Sequence, residues 1–126
     1  MKKTKGQIEA EISEAIIKFE KEYMGRGPLE AKTYIIDDLV LVRLKGVLTK
    51  AEYQLANPRD IANGRTLIKQ MRIALLEKGR PLIETVVESI INQKTISLHT
   101  DISTRTGEKV IIFTLDSPPK LEYKEA

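Results

Sequence analysis

A short glycine-rich segment, Gly-Arg-Gly-Pro at residues 25–28, is the first place where residue types suggest binding chemistry. Glycine-rich turns can direct successive backbone N–H groups at an anion, and the guanidinium of Arg26 would add a charge-assisted hydrogen bond. The segment lacks the Lys-Ser/Thr pair of a P-loop and follows a predicted helix, whose C-terminal dipole opposes an anion. A helix stop built from glycine and proline is the alternative interpretation, and we favour it.

Two further arginines extend this hypothesis to an anion- or nucleotide-binding site. Arg43 lies at the cationic end of a predicted strand, and Arg105 lies in a predicted turn. Both would approach Arg26 only if the order of the strands brought the two hairpins together. Solvated strand ends are the plainer interpretation of such charges. The candidate anion-binding residues are therefore Arg26, Arg43 and Arg105.

His99 and Asp101 lie two residues apart on a predicted strand, so their side chains project from the same face. A carboxylate beside an imidazole can form an acid–base or pH-sensitive pair. The sequence shows no Ser or Thr placed to complete a triad, and polar strand faces commonly meet solvent. We interpret the pair as a polar strand face, assign no catalytic residues and predict that the protein is not an enzyme.

The composition restricts the other classes of site. Among 126 residues there is one His and no Cys, which excludes disulfides, thiol nucleophiles and zinc–thiolate sites, and we expect no metal or cofactor. Basic and acidic residues, 21 and 18 in number, are interleaved along the chain. Interleaved charges and few aromatic residues do not favour nucleic-acid binding.

The apolar segments predict a cytoplasmic protein without a transmembrane segment. The most apolar stretch, residues 34–48, contains several charged side chains, and a membrane-spanning helix needs roughly 20 apolar residues. The positively charged N-terminus is followed by a Glu-rich amphipathic segment and not by the apolar region of a secretion signal.

Helical periodicity predicts the elements that position these residues. A capping box at Thr4 and Gln7 opens a first helix, which ends at residues 25–28, and a second box at Thr49 and Glu52 opens another. Asn57-Pro58 predicts a break and a fresh start. The longest helix is expected to end at Gly79, and a separate helix to begin at Arg80-Pro81 after a sharp change of direction.

Period-two patterns predict two hairpins. Residues 32–37 and 39–46 meet at Asp37-Asp38, and residues 94–115 form a second hairpin if residues 104–107 are its loop. In that register Leu98 lies opposite Phe113 and His99 opposite Ile112. The order helix, hairpin, two or three helices, hairpin predicts an α+β fold with a four-stranded, mostly antiparallel sheet covered by helices.

We expect one domain over residues 1–116 and a flexible tail over 117–126. Apolar residues remain on the second face of the strands in the register above. Because helices on one side of a sheet leave that face open, we predict a homodimer or a higher even-numbered oligomer. Helices on both faces, which would bury these residues within a monomer, are the alternative.

Four segments resemble the MpsC-like family. They are Lys-Gly-Gln-Ile-Glu at residues 5–9, Gly-Arg-Gly-Pro at 25–28, Asp-Leu-Val-Leu-Val-Arg-Leu-Lys-Gly-Val-Leu-Thr at 38–49 and Asp-Ile-Ser-Thr-Arg-Thr-Gly-Glu at 101–108. The likeness runs from about Thr4 to Asp116 and covers most of the chain. The family's name links it to a sodium-translocating, membrane-potential-generating system, and its motifs carry no assigned catalytic or binding roles.

The resemblance implies a non-enzymatic soluble accessory or regulatory protein that acts with a membrane ion or bicarbonate transport system. Its partners would be membrane transport subunits, and association with the membrane would occur through them. A small anion- or nucleotide-binding sensor is the alternative function. The conduction of ions is not implied, because a lipid-spanning segment requires a helix or closed barrel.

Overall fold

The computed structural model describes residues 3–56 and 63–121. Within these ranges the chain forms three helices and one four-stranded sheet, in the predicted order of helix, hairpin, two helices and hairpin. The α+β fold class is therefore confirmed. The elements are α1 (Lys5–Tyr23), β1 (Glu30–Ile36), β2 (Leu39–Lys45), α2 (Lys50–Leu55), α3 (Asn63–Ile91), β3 (Thr95–Ile102) and β4 (Lys109–Leu115).

The predicted capping box opens α1. The side chain of Thr4 accepts a hydrogen bond from the backbone of Gln7, whose side chain accepts one from the backbone of Thr4. This arrangement satisfies two N–H groups that the first helical turn leaves unpaired. The helix ends at Tyr23, and Gly25 then adopts a positive φ of 87°.

The sheet has the order β1-β2-β4-β3, and every neighbouring pair is antiparallel. The first hairpin turns at Asp37-Asp38, as predicted, and Asp37 takes a left-handed φ of 53°. Asp tolerates this conformation better than most residues because its short side chain can form local hydrogen bonds. The strand order places β4 beside β2, so residues distant in sequence form the centre of the sheet.

The predicted register of the second hairpin is confirmed. Leu98 pairs with Phe113 and His99 with Ile112, and the loop is closed by a 2.8 Å hydrogen bond from the backbone N of Ser103 to the oxygen of Glu108. A bulge interrupts the ladder between Thr95 and Ser97. An extra residue in one strand reverses the alternation beyond it. Ile96 is consequently 64% exposed and does not share the buried face.

Helices cover one face of the sheet, which we call the inner face. Alternate residues of β2 and β4 are buried there because side chains of a strand point to opposite faces. The core joins these residues to the apolar stripes of α1 and α3. Its largest fully buried members include Ile12, Ile16, Leu44, Ile68, Leu76, Ile83, Ile111, Phe113 and Leu115.

The predicted helix end at Gly79 is wrong, because α3 is one helix of 29 residues with Pro81 inside it. Its buried positions continue at helical spacing through this region, from Leu76 to Gly79 to Ile83. Gly79 packs against α1 so closely that an added Cβ would lie 2.8 Å from Phe19. Packing of a continuous stripe thus outweighs the local preference of Gly-Arg-Pro for a turn.

The N-terminal half of α3 leaves two apolar side chains exposed and buries a charged one. Leu67 and Met71 are 55% and 47% exposed, whereas Arg72 occupies the buried position between Ile68 and Leu76. The predicted break at residues 57–58 lies outside the described residues. At the other end of the chain, Leu121 packs against the core, and residues 122–126 lie outside the described ranges.

Replacing Pro81 with Ala is expected to raise the free energy of unfolding by about 1 to 3 kcal/mol. Proline within a helix removes one hydrogen bond and crowds the preceding turn, at a cost of about 3 kcal/mol relative to Ala. Urea denaturation monitored by circular dichroism measures the change. Lys78→Ala, an exposed substitution on the same helix, is the control and should change stability by less than about 0.5 kcal/mol. A loss of stability in Pro81→Ala would contradict a continuous helix.

Candidate functional site

The three candidate arginines occupy one end of the sheet but bind different protein oxygens. Arg26 donates from Nη1 to the carbonyl oxygen of Leu48 at 2.5 Å. Arg43 donates from Nε to Oε2 of Glu108 at 2.8 Å, and this hydrogen bond and charge raise the pKa of the guanidinium. Arg105 is exposed in the turn between β3 and β4. The anion site therefore stays a prediction, with two of its three cations already bound to protein.

His99 and Asp101 lie on the sheet face that the helices leave uncovered, which we call the outer face. His99 pairs with Ile112 and Asp101 with Val110, whose side chains point to the same side. Oδ1 of Asp101 accepts hydrogen bonds from Nζ of Lys69 at 3.4 Å and from the backbone N of Ile102 at 2.8 Å. Both residues are exposed.

Four charged side chains that sequence reasoning missed lie under the inner face and form a buried ionic cluster. Its members are Glu20 on α1, Glu52 on α2, Arg72 on α3 and Lys109 on β4. Each is less than a tenth exposed. A buried charge is unfavourable unless it is paired and hydrogen-bonded, and the four residues form two ion pairs.

Arg72 and Glu52 form a two-point ion pair. Nε of Arg72 lies 2.9 Å from Oε2 of Glu52, and Nη2 lies 2.6 Å from Oε1. The same Nη2 donates to the carbonyl oxygen of Val47 at 3.0 Å. Glu52 also caps α2, because its Oε1 accepts a hydrogen bond from the backbone of Thr49 at 2.9 Å. One guanidinium therefore joins α3, α2 and the segment that leaves β2.

Lys109 and Glu20 form the second pair at 3.1 Å, and their side chains are 3% and 1% exposed. Oε2 of Glu20 has no hydrogen-bond partner within the described part of the chain. Burial lowers the pKa of Lys109, and the positive charge of Arg72 acts in the same direction, while Glu20 offsets part of this effect. Arg72 and Lys109 also line the same small cavity, so the two ion pairs are neighbours.

Burial and hydrogen bonding shift the pKa of Glu52 in opposite directions. Removal from water raises the pKa of this carboxyl, but the hydrogen bonds from Arg72 and the backbone of Thr49 outweigh that effect. The pKa of Glu52 therefore lies below its ordinary value of 4.5. The carboxylate remains ionised, as the fork from Arg72 requires.

A signal for the cluster was present in the sequence. Lys109 shares the period-two face of Ile111 and Phe113, and Arg72 lies four residues from Ile68. Glu20 likewise follows Ile16 by four residues on the apolar stripe of α1. A charged residue in phase with an apolar stripe indicates a buried ion that needs a partner.

The space beside the cluster limits its chemistry. The cavity that contacts both Arg72 and Lys109 has a volume of about 10 Å³, which is about the room that one water molecule needs. Within the part of the chain that the structure describes, this cavity is too small to hold a substrate. The arrangement of the four charged residues is suited to holding the helices on the sheet, and an exposed surface is the better candidate for function.

The outer face carries an apolar centre and charges at one end. Three rows cross the sheet, and each row takes one residue from each strand in the order β1, β2, β4, β3. The rows are Lys32-Arg43-Val110-Asp101, Tyr34-Leu41-Ile112-His99 and Ile36-Leu39-Thr114-Ser97. Tyr34 and Ile36 are 38% and 52% exposed, so the apolar part of this face meets solvent at β1.

Comparison with known proteins relates most of the chain to a described family. Residues 4–117 match the family described as the Na⁺-translocating membrane potential-generating system, MpsC. The chain belongs to the MpsC family. The resemblance found in the sequence is thereby confirmed.

One relative of this MpsC family member is the uncharacterized protein YbcI of Bacillus subtilis strain 168. The two are 45% identical over 115 residues, which cover 91% of this chain and 90% of YbcI. No solved structure matches the chain. None of the helices in residues 3–56 and 63–121 combines the length and apolar character of a membrane span.

Removing the charge of Glu20 alone is expected to destabilise the fold more than replacing both Glu20 and Lys109 with apolar residues. Glu20→Gln leaves the ammonium of Lys109 buried without a counter-charge, and should lower the free energy of unfolding by about 3 to 5 kcal/mol. The double variant Glu20→Leu, Lys109→Met should recover most of this loss, because apolar replacements of buried pairs are often neutral or stabilising. Urea denaturation of the three chains gives the values. Equal losses in single and double variants would contradict the pairing.

Glu52 is expected to make the stability of the fold sensitive to acid. Its folded pKa lies below 4.5, so its contribution is complete above that pH and is lost as the pH falls through the folded value. The stability difference between wild type and Glu52→Gln should therefore shrink as the pH is lowered from about 6 to about 2.5. Denaturation at several pH values measures it. Glu22→Gln, which changes an exposed carboxylate on α1, serves as the control, and a pH-independent difference for Glu52→Gln would contradict this assignment.

Proposed function

We propose that this protein is a non-enzymatic accessory or regulatory protein of a membrane ion or bicarbonate transport system. The observation that carries the proposal is the match of residues 4–117 to the MpsC family, whose description names a Na⁺-translocating system that generates membrane potential. In this proposal the chain works in the cytoplasm and reaches the membrane through transport subunits.

The arrangement of the molecule supports a role that depends on protein contacts. The four residues of the buried ionic cluster form two ion pairs with one another, and the cavity that contacts Arg72 and Lys109 has room for about one water. The outer face, in contrast, presents apolar residues such as Tyr34 and Ile36 to solvent. Contiguous exposed apolar residues are typical of interaction surfaces.

Deletion of the gene tests the proposed role in the cell. We expect a lower membrane potential, reduced tolerance of sodium or slower uptake of inorganic carbon, each restored by the wild-type gene on a plasmid. A voltage-sensitive dye, growth at graded NaCl concentrations and uptake of labelled bicarbonate measure the three quantities. Unchanged values of all three in the deletion strain would argue against the proposal.

A binding experiment then separates a direct role from an indirect one. The purified tagged chain is added to detergent-solubilised membranes of the deletion strain, and membrane transport subunits are expected to co-purify with it. Ile12→Asp, which places a charge in the core, supplies an unfolded bait of the same length and tag. Subunits retained by the folded bait alone support the proposal, whereas equal retention by both baits or none by either contradicts it.

A further inference from the structure

The pattern of the outer face is complementary to itself. In the row Lys32-Arg43-Val110-Asp101, the positive charges lie on β1 and β2 and the negative charge lies on β3. The next row has Leu41 and Ile112 at its centre, with Tyr34 and His99 at its ends. A second copy that faces this sheet with its strands in the reverse order would therefore place opposite charges over each other. It would also place the apolar centres of the two faces over each other.

Two orientations of a face-to-face pair keep the strands aligned, as sheet packing favours. A two-fold axis perpendicular to the strands places the charged row of one copy over the row of Ile36 and Leu39 of the other. An axis parallel to the strands places each row over itself and sets β1 over β3. Only the parallel axis sets Lys32 over Asp101, which have opposite charges, and Leu41 over Ile112, which are both apolar.

We propose that two copies of this chain associate through their outer faces about a two-fold axis parallel to the strands. Leu41 of each copy then lies over Ile112 of the other, and Tyr34 lies over His99. At the end of the sheet, Lys32 faces Asp101 of the second copy. The interface is isologous, so each contact occurs twice.

The exposure and the existing ion pairs of the charged residues on the outer face permit these contacts. The side chain of Asp101 is 72% exposed, and its ion pair with Lys69 is 3.4 Å long, so the carboxylate can accept a second cation. Lys32 is exposed on the outer side of β1. Arg43 is held by Glu108 at 2.7 Å within its own copy and contributes its stem to the interface.

Pairing between sheet edges is the other common route to β dimers, and this chain obstructs it at both edges. At β1, the backbone N of Ile35 donates to Oε2 of Glu9 at 2.9 Å. At β3, the backbone N of Thr95 donates to Oε2 of Glu88 at 2.7 Å. Side chains from α1 and α3 thus occupy donors that a partner strand would need, and this disfavours pairing through the edges of the sheet.

The size of the face predicts a reversible dimer. Four strands about 4.8 Å apart and seven residues at about 3.4 Å each give a footprint of roughly 450 Å² per copy. The total of roughly 900 Å² is below the standard interface of about 1,600 Å². We therefore expect a dimer that dissociates on dilution.

Light scattering and sedimentation over a concentration series test the interface. The wild type should approach twice its 14.3 kDa mass at high concentration, whereas Ile112→Asp and Tyr34→Glu should remain at 14.3 kDa with unchanged helicity. Tyr34 is partly exposed, so the second variant should fold even if the first does not. Leu82→Glu, at a 54% exposed position on α3, is the matched control and should dimerise normally. A wild type that stays monomeric, or outer-face variants that dimerise, would overturn the proposal.

Charge exchange tests the axis. Lys32→Asp and Asp101→Lys each place like charges across the interface at two symmetric sites, and each should weaken dimerisation by about tenfold. Mixing the two variants should restore dimerisation, because both contacts between positions 32 and 101 then join opposite charges. Lys78→Asp, with the same charge change on α3, is the control. Mixing without recovery, or single variants that behave as wild type, would overturn this orientation.

Discussion

The burial of charge is the constraint on which the arrangement of this fold depends. β4 alternates so regularly that Lys109 must enter the interior with Ile111 and Phe113, and Glu20 must then lie close to it. Arg72 enters in the same way on the stripe of α3 and requires Glu52. These two pairs fix the end of α1 against β4 and connect α2 to α3. α2 has six residues, too few for a stable isolated helix, and is held by its capping box and by Arg72.

The same tertiary packing explains why α3 ignores its own sequence signals. Gly79 and Pro81 are ordinary helix breakers, and a break there would separate Leu76 from Ile83 on the face that covers the sheet. The absence of a Cβ at Gly79 instead lets α1 approach, with Phe19 and Tyr23 stacked at 5.2 Å beside it. Gly64 has a similar role, since an added Cβ would lie 1.9 Å from the backbone oxygen of Leu55. Both glycines serve close contact between helices.

Local features of the fold were predictable, and features that join distant residues were not. Both capping boxes, the Asp37-Asp38 turn and the Leu98–Phe113 register follow from residues close in sequence. The adjacency of β2 and β4 required knowledge of non-local pairing. The ion pairs join residues 20 and 89 positions apart, so the pattern could mark Lys109 as buried without naming Glu20. For the exposed arginines, the sequence showed the Gly-Arg-Gly-Pro motif but not the contacts that these side chains make. Arg26, for example, donates to the carbonyl oxygen of Leu48.

The two faces of the sheet differ in how well the fold tolerates substitutions on them. Inner-face positions such as Lys109 are bound by both packing and charge, so any change there alters stability before it alters function. Outer-face positions such as Tyr34 and Asp101 are exposed and can change at small cost to the fold. Tyr34, Leu41 and Ile112 nevertheless adjoin one another on this face, and contiguous apolar area at the surface is typical of interaction sites. Contact with another protein would remove this apolar area from water, which is the physical reason for proposing the outer face as an interaction surface.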